Sequence, residues 1–236
     1  MHDSSFGRLI GALVAPGRTF ESIREKPSWV VPLVLLVLLS VGVGLALQDR
    51  ADPSEIARVT MERLGMEPTP EQLEEMERQS ENQPAAMKSV GLVFGALANA
   101  AFYVVLAAVF LVIFRLCGSE ISFLQSLAAT VHGVLPLALA ALLNIPLVLS
   151  RSEVRAEEVL AGGVLVSSPR LLAPEDSPVV ASLLGSLDFF VIWTLVLLII
   201  GFRHVARVST ATAAAAVLVP WGLWVLGKAG FVAIVN

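Results

Sequence analysis

The stretch WVVPLVLLVLLSVGVGLAL, Trp29–Leu47, holds nineteen residues and no charge. As a helix it is about 28 Å long, at about 1.5 Å per residue, which is enough to cross the hydrocarbon of a bilayer. The rest of the chain repeats that chemistry. Of 236 residues, 56% are apolar and 15% charged, whereas a soluble domain carries about 25% charged residues. Four more apolar runs follow at 89–114, 123–150, 178–202 and 210–234, each long enough to span even when tilted. The expected fold is all-α: a single membrane domain over 1–236, built as a bundle of five transmembrane helices.

Upstream of the first span, residues 1–28 alternate apolar and basic positions at helical spacing. Phe6, Leu9, Ile10 and Leu13 form one stripe; Ala15-Pro16-Gly17 interrupts it; Phe20 and Ile23 form a second. Arg8, Arg18, Arg24 and Lys26 decorate the other side. This pattern suits a pair of amphipathic helices in the bilayer interface, with cations toward the headgroups; a loosely ordered cytoplasmic tail is the alternative. The first span starts too late, runs too long and lacks the small-residue cleavage site of a signal peptide, so it reads as a retained helix. Residues 48–88 turn polar, with Ser54 placed to cap one short helix and Thr69-Pro70 to start another, an expected helical hairpin outside the membrane. Pro136 and Pro146 should kink the third span. The connection 151–177, with Gly162-Gly163-Val164-Leu165-Val166, reads as a small strand pair or an interfacial loop.

Basic residues in short connections set membrane orientation. Segments 1–28, 115–122 and 203–209 hold seven cations against Asp3, Glu21, Glu25 and Glu120, whereas 48–88 and 151–177 hold eight cations against fifteen acids. The expected topology puts the N-terminus in the cytoplasm and the C-terminus, Asn236, outside. The short tails and the lack of a targeting signal point to a bacterial inner membrane.

Several local patterns resemble one family. Ala15-Pro16 is followed by Thr19-Phe20-Glu21-Ser22-Ile23 before the first span, and Pro32 lies inside it. Gly118 with Ser122-Phe123 leads into the third span. Leu187-Asp188-Phe189-Phe190-Val191-Ile192-Trp193 runs into the fourth. Together these resemble the Yip domain family, named for Ypt/Rab-interacting proteins. The resemblance implies five spans, a cytosolic N-terminus and, in eukaryotic members, work with small GTPases in early secretory traffic. The chain lacks their long polar cytosolic arm, and its outer Thr69-Pro70-Glu71-Gln72-Leu73-Glu74 segment is similar to prokaryotic members. The resemblance implies no catalytic residues.

Charges inside spans are costly and mark functional candidates. Asp188 and Lys228 each lie within an apolar run, about 15 Å and about 12 Å from its outer end at the helical rise. Asn144 and Asn99 come to similar depths, so the four are expected to form one buried polar layer around an Asp188–Lys228 ion pair. Three uses are open for such a layer: fixing helix register, lining a hydrated transport path, or letting Lys228 snorkel outward. His132 is a secondary candidate, expected to be hydrogen-bonded within the bundle.

No metal, cofactor or nucleic-acid site is expected. Cys117 is the only cysteine, the three histidines lack ligand spacing, and Glu71, Glu74, Glu75, Glu77 and Glu81 decorate a helix face without the spacing of a calcium loop. Ser40, Ser126 and Ser186 fit no G-x-S-x-G elbow, and the facing aspartate pair of an intramembrane protease is missing. The chain is expected to be non-enzymatic, with lipid and other membrane proteins as partners. Gly91-x-x-x-Gly95, the Ala211–Ala216 run, Gly42, Gly44, Gly222, Gly227 and Gly230 are expected to serve packing inside the bundle, with a face for a second copy as the alternative.

Overall fold

The computed structural model describes residues 4–82, 84–174 and 177–235; His2, Asp3 and Asn236 lie outside them. Among the described residues the regular elements are helices: α1 (Ser5–Val14), α2 (Pro16–Glu25), α3 (Val30–Leu47), α4 (Pro53–Arg63), α5 (Pro70–Glu81), α6 (Ala85–Leu116), α7 (Phe123–Gly133), α8 (Leu135–Leu149), α9 (Ala156–Leu160), α10 (Pro178–Gly185), α11 (Phe189–Val205) and α12 (Thr210–Val235), with a 3₁₀ turn at Pro169–Leu172. Val30–Leu47, Ala86–Leu116, Phe123–Leu149 and Thr210–Val235 are long and apolar enough to cross a membrane. The pair α10 and α11, bent by 47°, makes a fifth span when taken together.

Sequence explains where these helices stop. Gly118 sits at φ +84, where only glycine is unstrained. Its N–H donates to the Arg115 carbonyl at 3.0 Å, and that of Ser119 to the Phe114 carbonyl at 3.0 Å. Those two bonds are the Schellman closure that satisfies the last carbonyls of α6. At its start α6 begins just after Pro84, so it runs 32 residues, longer at both ends than the 89–114 run; hydropathy locates the lipid, whereas backbone hydrogen bonding continues past it. The third span is interrupted at Val134, between α7 and α8, yet Phe123–Leu149 remains one candidate crossing. Pro136 has no N–H for the His132 carbonyl, and its ring crowds that turn. Pro146, in contrast, lies inside an unbroken α8. The connection 151–177 contains α9 and the 3₁₀ turn, with no strand among its described residues; Gly162 and Gly163, at φ +98 and +134, turn the chain where a strand pair was one expectation.

Packing divides the chain into two units. The first comprises 1–39, 96–140 and 189–224. Here α2 packs against α11 and α7, and α7 against α11. Phe20 and Ile23 of α2 are fully buried with Phe110, Phe114 and Phe202; the Phe114 and Phe202 rings stack at 4.5 Å. The second stripe of the N-terminal segment is thus core. Of the first stripe, Leu9 and Leu13 pack into a neighbouring cluster with Leu127 and Val131, while Phe6 and Ile10, with Val14, stay exposed along α1. Arg8 departs from the expected headgroup-facing row. It is 5% exposed, and its Nη1 donates to the Lys26 carbonyl at 2.7 Å and to Ser28 Oγ at 3.0 Å. A cation is stabilised there because the end of α2 presents unpaired carbonyls.

The second unit comprises 40–95, 141–188 and 225–236. Its helices α4 and α5 pack together, and α9 packs on α4. Thr69 opens α5 with a capping box to Gln72, as its spacing suggests. The cap of α4 is Asp52, not Ser54: Asp52 Oδ1 accepts from the Ser54 N–H at 2.8 Å and its hydroxyl at 2.7 Å. Pro53 explains the shift, because proline favours the first helical position and hands the cap to the residue before it.

Candidate functional site

The fourth apolar run is where the backbone departs most from the sequence reading. Instead of one helix over 178–202, α10 ends at Gly185, three residues intervene, and α11 begins at Phe189. Ser186 and Asp188 explain the break, since short polar side chains bind the local backbone and favour helix ends over interiors. Asp188 therefore immediately precedes α11, where a carboxylate complements the positive end of the helix dipole.

In the second unit the half-buried Lys228 comes to the other side of this break. Its Nζ donates to Ser186 Oγ at 2.7 Å. The Ser186 hydroxyl donates in turn to the Ser182 carbonyl at 2.9 Å. Its proton is thus committed to the backbone and its lone pair to an ammonium, an arrangement that seats a cation rather than activating a nucleophile. Arg170 approaches the same helix end: its Cδ lies 3.7 Å from where a Gly185 side chain would begin. Two cations thus meet the carbonyl end of α10, the favourable place for them. Outside the spans, burial and then repulsion from Arg170 pull Arg63 below the ordinary guanidinium value, partly opposed by Glu157.

Asp188 Oδ2 accepts from the Ser167 hydroxyl. The expected Asp188–Lys228 pair is replaced by two separate serine contacts, Ser167 for the acid and Ser186 for the base. Neither serine was picked out as a partner, although Ser186 stands two residues from Asp188.

Asn144 is 3% exposed, and its role differs from that of a member of the expected layer. Its Oδ1 accepts from the N–H groups of Val164 at 2.9 Å and Leu165 at 3.1 Å. A Cβ at Gly163 would fall 2.0 Å from Asn144 Nδ2, so the loop packs against the amide only because that residue is glycine. Asn144 satisfies backbone donors of the 151–177 connection, whose amides would otherwise be buried without acceptors. Asn99 lies on α6 in the first unit. The common physical reason is that a buried polar group takes the nearest hydroxyl, amide or backbone partner, and helix depth alone says nothing about which face each residue occupies.

His132 is fully buried, and its Nδ1 lies 2.9 Å from the Ala128 carbonyl. A carbonyl only accepts, so Nδ1 carries the proton. Among the described residues no group of three His, Cys, Asp or Glu side chains is placed to hold a metal. Small residues divide sharply. A Cβ at Gly201, Gly133 or Gly44 would collide with Phe20, Leu198 or Leu92, and one at Gly42 would crowd Ile145. At Gly91, Gly95, Gly222, Gly227 and Gly230 it would meet nothing within 4 Å. Of the glycines expected to pack inside the bundle, Gly42 and Gly44 have a close neighbour there; Gly201 and Gly133 were not among those expected.

No curated protein and no solved structure gives a match. A helical chain with four or five apolar spans, in which Phe20 is buried in the core of the first unit, Gly118 closes α6 and Ser122 caps α7, matches the Yip1 domain family model over residues 10–232, and it belongs to that family.

Proposed function

We propose that this multi-pass membrane protein acts without chemistry of its own, by organising partners in the bilayer, a second copy of itself among them. The family is one of non-enzymatic membrane proteins. We place its N-terminus on the cytoplasmic side and its C-terminus outside, on the strength of the cation bias of 1–28, 115–122 and 203–209.

The observation that carries this reading is α6. Ala86–Leu116, like Val30–Leu47 and Thr210–Val235, is largely unburied within the protomer. Val90, Val93, Phe94 and Leu97 are exposed, and the space beyond Gly91 and Gly95 is open. In lipid, helices associate where small residues let backbones approach, so a helix pair forms there without rearrangement of the protomer. Energy transfer between two labelled populations of the full chain in vesicles tests it. Gly91→Leu with Gly95→Leu should abolish transfer while leaving thermal stability unchanged; transfer unaltered by the pair of changes contradicts the proposal.

One observation favours a second reading, a small transporter: the 47° break between α10 and α11, with Asp188 and Lys228 at it, is the kind of discontinuous helix that builds transport sites. Ion flux in proteoliposomes that is lost in Asp188→Asn supports that reading; flux indifferent to Asp188 removes it.

A further inference from the structure

In the first unit, where α6 ends and α7 and α12 begin, the chain encloses a half-open cavity of about 740 Å³. Its wall contains Arg24 and Glu25 from the end of α2, Cys117 and Glu120 from the α6–α7 connection, and Arg207 from the α11–α12 connection. Local bonds hold these connections in place. Ser119 Oγ donates to the Ala206 carbonyl at 2.8 Å, and Gln125 Nε2 donates to the Arg24 carbonyl at 2.8 Å. Arg207 is the one non-glycine described residue with positive φ, at +54.

Two guanidiniums and two carboxylates line this space, yet among the described residues no ion pair joins Arg24 or Arg207 to Glu25 or Glu120. Each charge keeps its capacity for a ligand. Paired guanidiniums match the oxygens of a phosphate through forked N–H donors. Carboxylates that only accept match an ammonium that still has N–H bonds to give. A quaternary ammonium has none. The volume lies in the range of about 300–1,000 Å³ typical of small-molecule sites. The position selects the source: the wall lies at the polar ends of four apolar helices, which is the depth of lipid headgroups, and basic pockets between spans at that level are built for them.

We propose that this cavity binds the headgroup of a phospholipid bearing a phosphodiester and a primary ammonium, of the phosphatidylethanolamine type. Arg24 and Arg207 hold the phosphate, and Glu25 and Glu120 the ammonium. Phosphatidylcholine has the same net charge and lacks the N–H donors, so it is the matched control and leaves surface potential unchanged.

Cys117 is exposed and is the only cysteine, so a maleimide reads the cavity directly in the full chain. In bilayer discs containing phosphatidylethanolamine, labelling should be slower than in pure phosphatidylcholine discs by about fivefold, the protection expected when the site is about 80% occupied. The Arg24→Gln, Arg207→Gln double variant should lose that difference, while Arg203→Gln, which removes a charge from α11 outside the cavity, should keep it. Equal rates for the unaltered chain in the two bilayers overturn the proposal whether or not the double variant folds, as does protection that survives in a folded double variant. Soluble phosphoethanolamine that protects Cys117 in phosphatidylcholine discs while the lipid does not would overturn the lipid source and leave the ligand chemistry.

Discussion

Replacing Gly201 by alanine tests how the N-terminal segment is held. A Cβ built there would lie 2.8 Å from Phe20 Cε1, 2.9 Å from Cζ and 3.1 Å from Cδ1. The obstacle is a rigid ring with 0% exposure, packed in a cluster with Phe110, Phe114 and Phe202, so it cannot swing aside as a flexible side-chain tip would. Overpacking of this kind costs about 1–3 kcal/mol, offset by up to about 1 kcal/mol of gain from replacing glycine inside a helix. The net loss is roughly 0–3 kcal/mol, and the difference from a glycine-to-alanine change that meets no neighbour is roughly 1–3 kcal/mol, or about 2–12 °C in thermal midpoint for a chain of this size. Gly95→Ala is the matched control, because nothing lies within 4 Å of its Cβ, and it should be neutral or slightly stabilising. Thermal unfolding of both variants in one detergent reads the difference, and Phe20→Leu should restore part of the Gly201→Ala loss. If Gly201→Ala proves as stable as Gly95→Ala, α2 is not packed on α11 in the way described.

Asn144→Ala should cost roughly 1–3 kcal/mol for the buried Val164 N–H that loses its acceptor, with a smaller addition from the part-buried Leu165 N–H; faster amide exchange at Val164 and Leu165 locates the effect, and unchanged exchange contradicts it. Ser186→Ala removes the acceptor of Lys228 and should destabilise by about 1.5–3 kcal/mol, the usual worth of a hydrogen bond to a charged group. The loss should shrink in a Lys228→Met background, and equal losses in both backgrounds would separate the two residues. Asp52 titrates below its ordinary carboxylate value, chiefly because the Ser54 hydroxyl donates to it, with burial opposing. Its folded pKa is depressed, so its contribution to α4 is complete above the unfolded value of 3.8 and fades as pH falls through the folded one. Asp52→Ala should weaken α4 by about 1 kcal/mol at neutral pH and flatten the acid dependence of amide protection there; an acid profile identical to that of the unaltered chain argues against the cap.

The spans were legible because lipid demands long uncharged runs with internally bonded backbone, a constraint that appears directly in 29–47 and 210–234. Thr69 with Gln72 was legible for a similar reason, since a capping box is local. The break at 186–188 was not, because an apolar window averages over three residues, although Ser186 and Asp188 are the residue types that end helices. The partners of Asn144, Asp188 and Lys228 were hidden for a geometric reason. Depth along a helix follows from counting at 1.5 Å per residue, but which face Asn144 or Asn99 presents depends on packing that the count does not contain. The burial of Arg8 was hidden likewise, because its partners, the Lys26 carbonyl and Ser28, lie eighteen and twenty residues away. The cavity beside Cys117 draws on three connections far apart in sequence, and no single stretch signals it.

The claim beneath all of this is that the polypeptide crosses the bilayer an odd number of times, α10 and α11 together making one crossing. Single cysteines at Ser5 and Val235, introduced with Cys117→Ala and probed by a membrane-impermeant thiol reagent on sealed vesicles of known orientation, test it most directly. The account requires the two positions to react from opposite faces, Ser5 from the cytoplasmic one; reaction of both from a single face contradicts it.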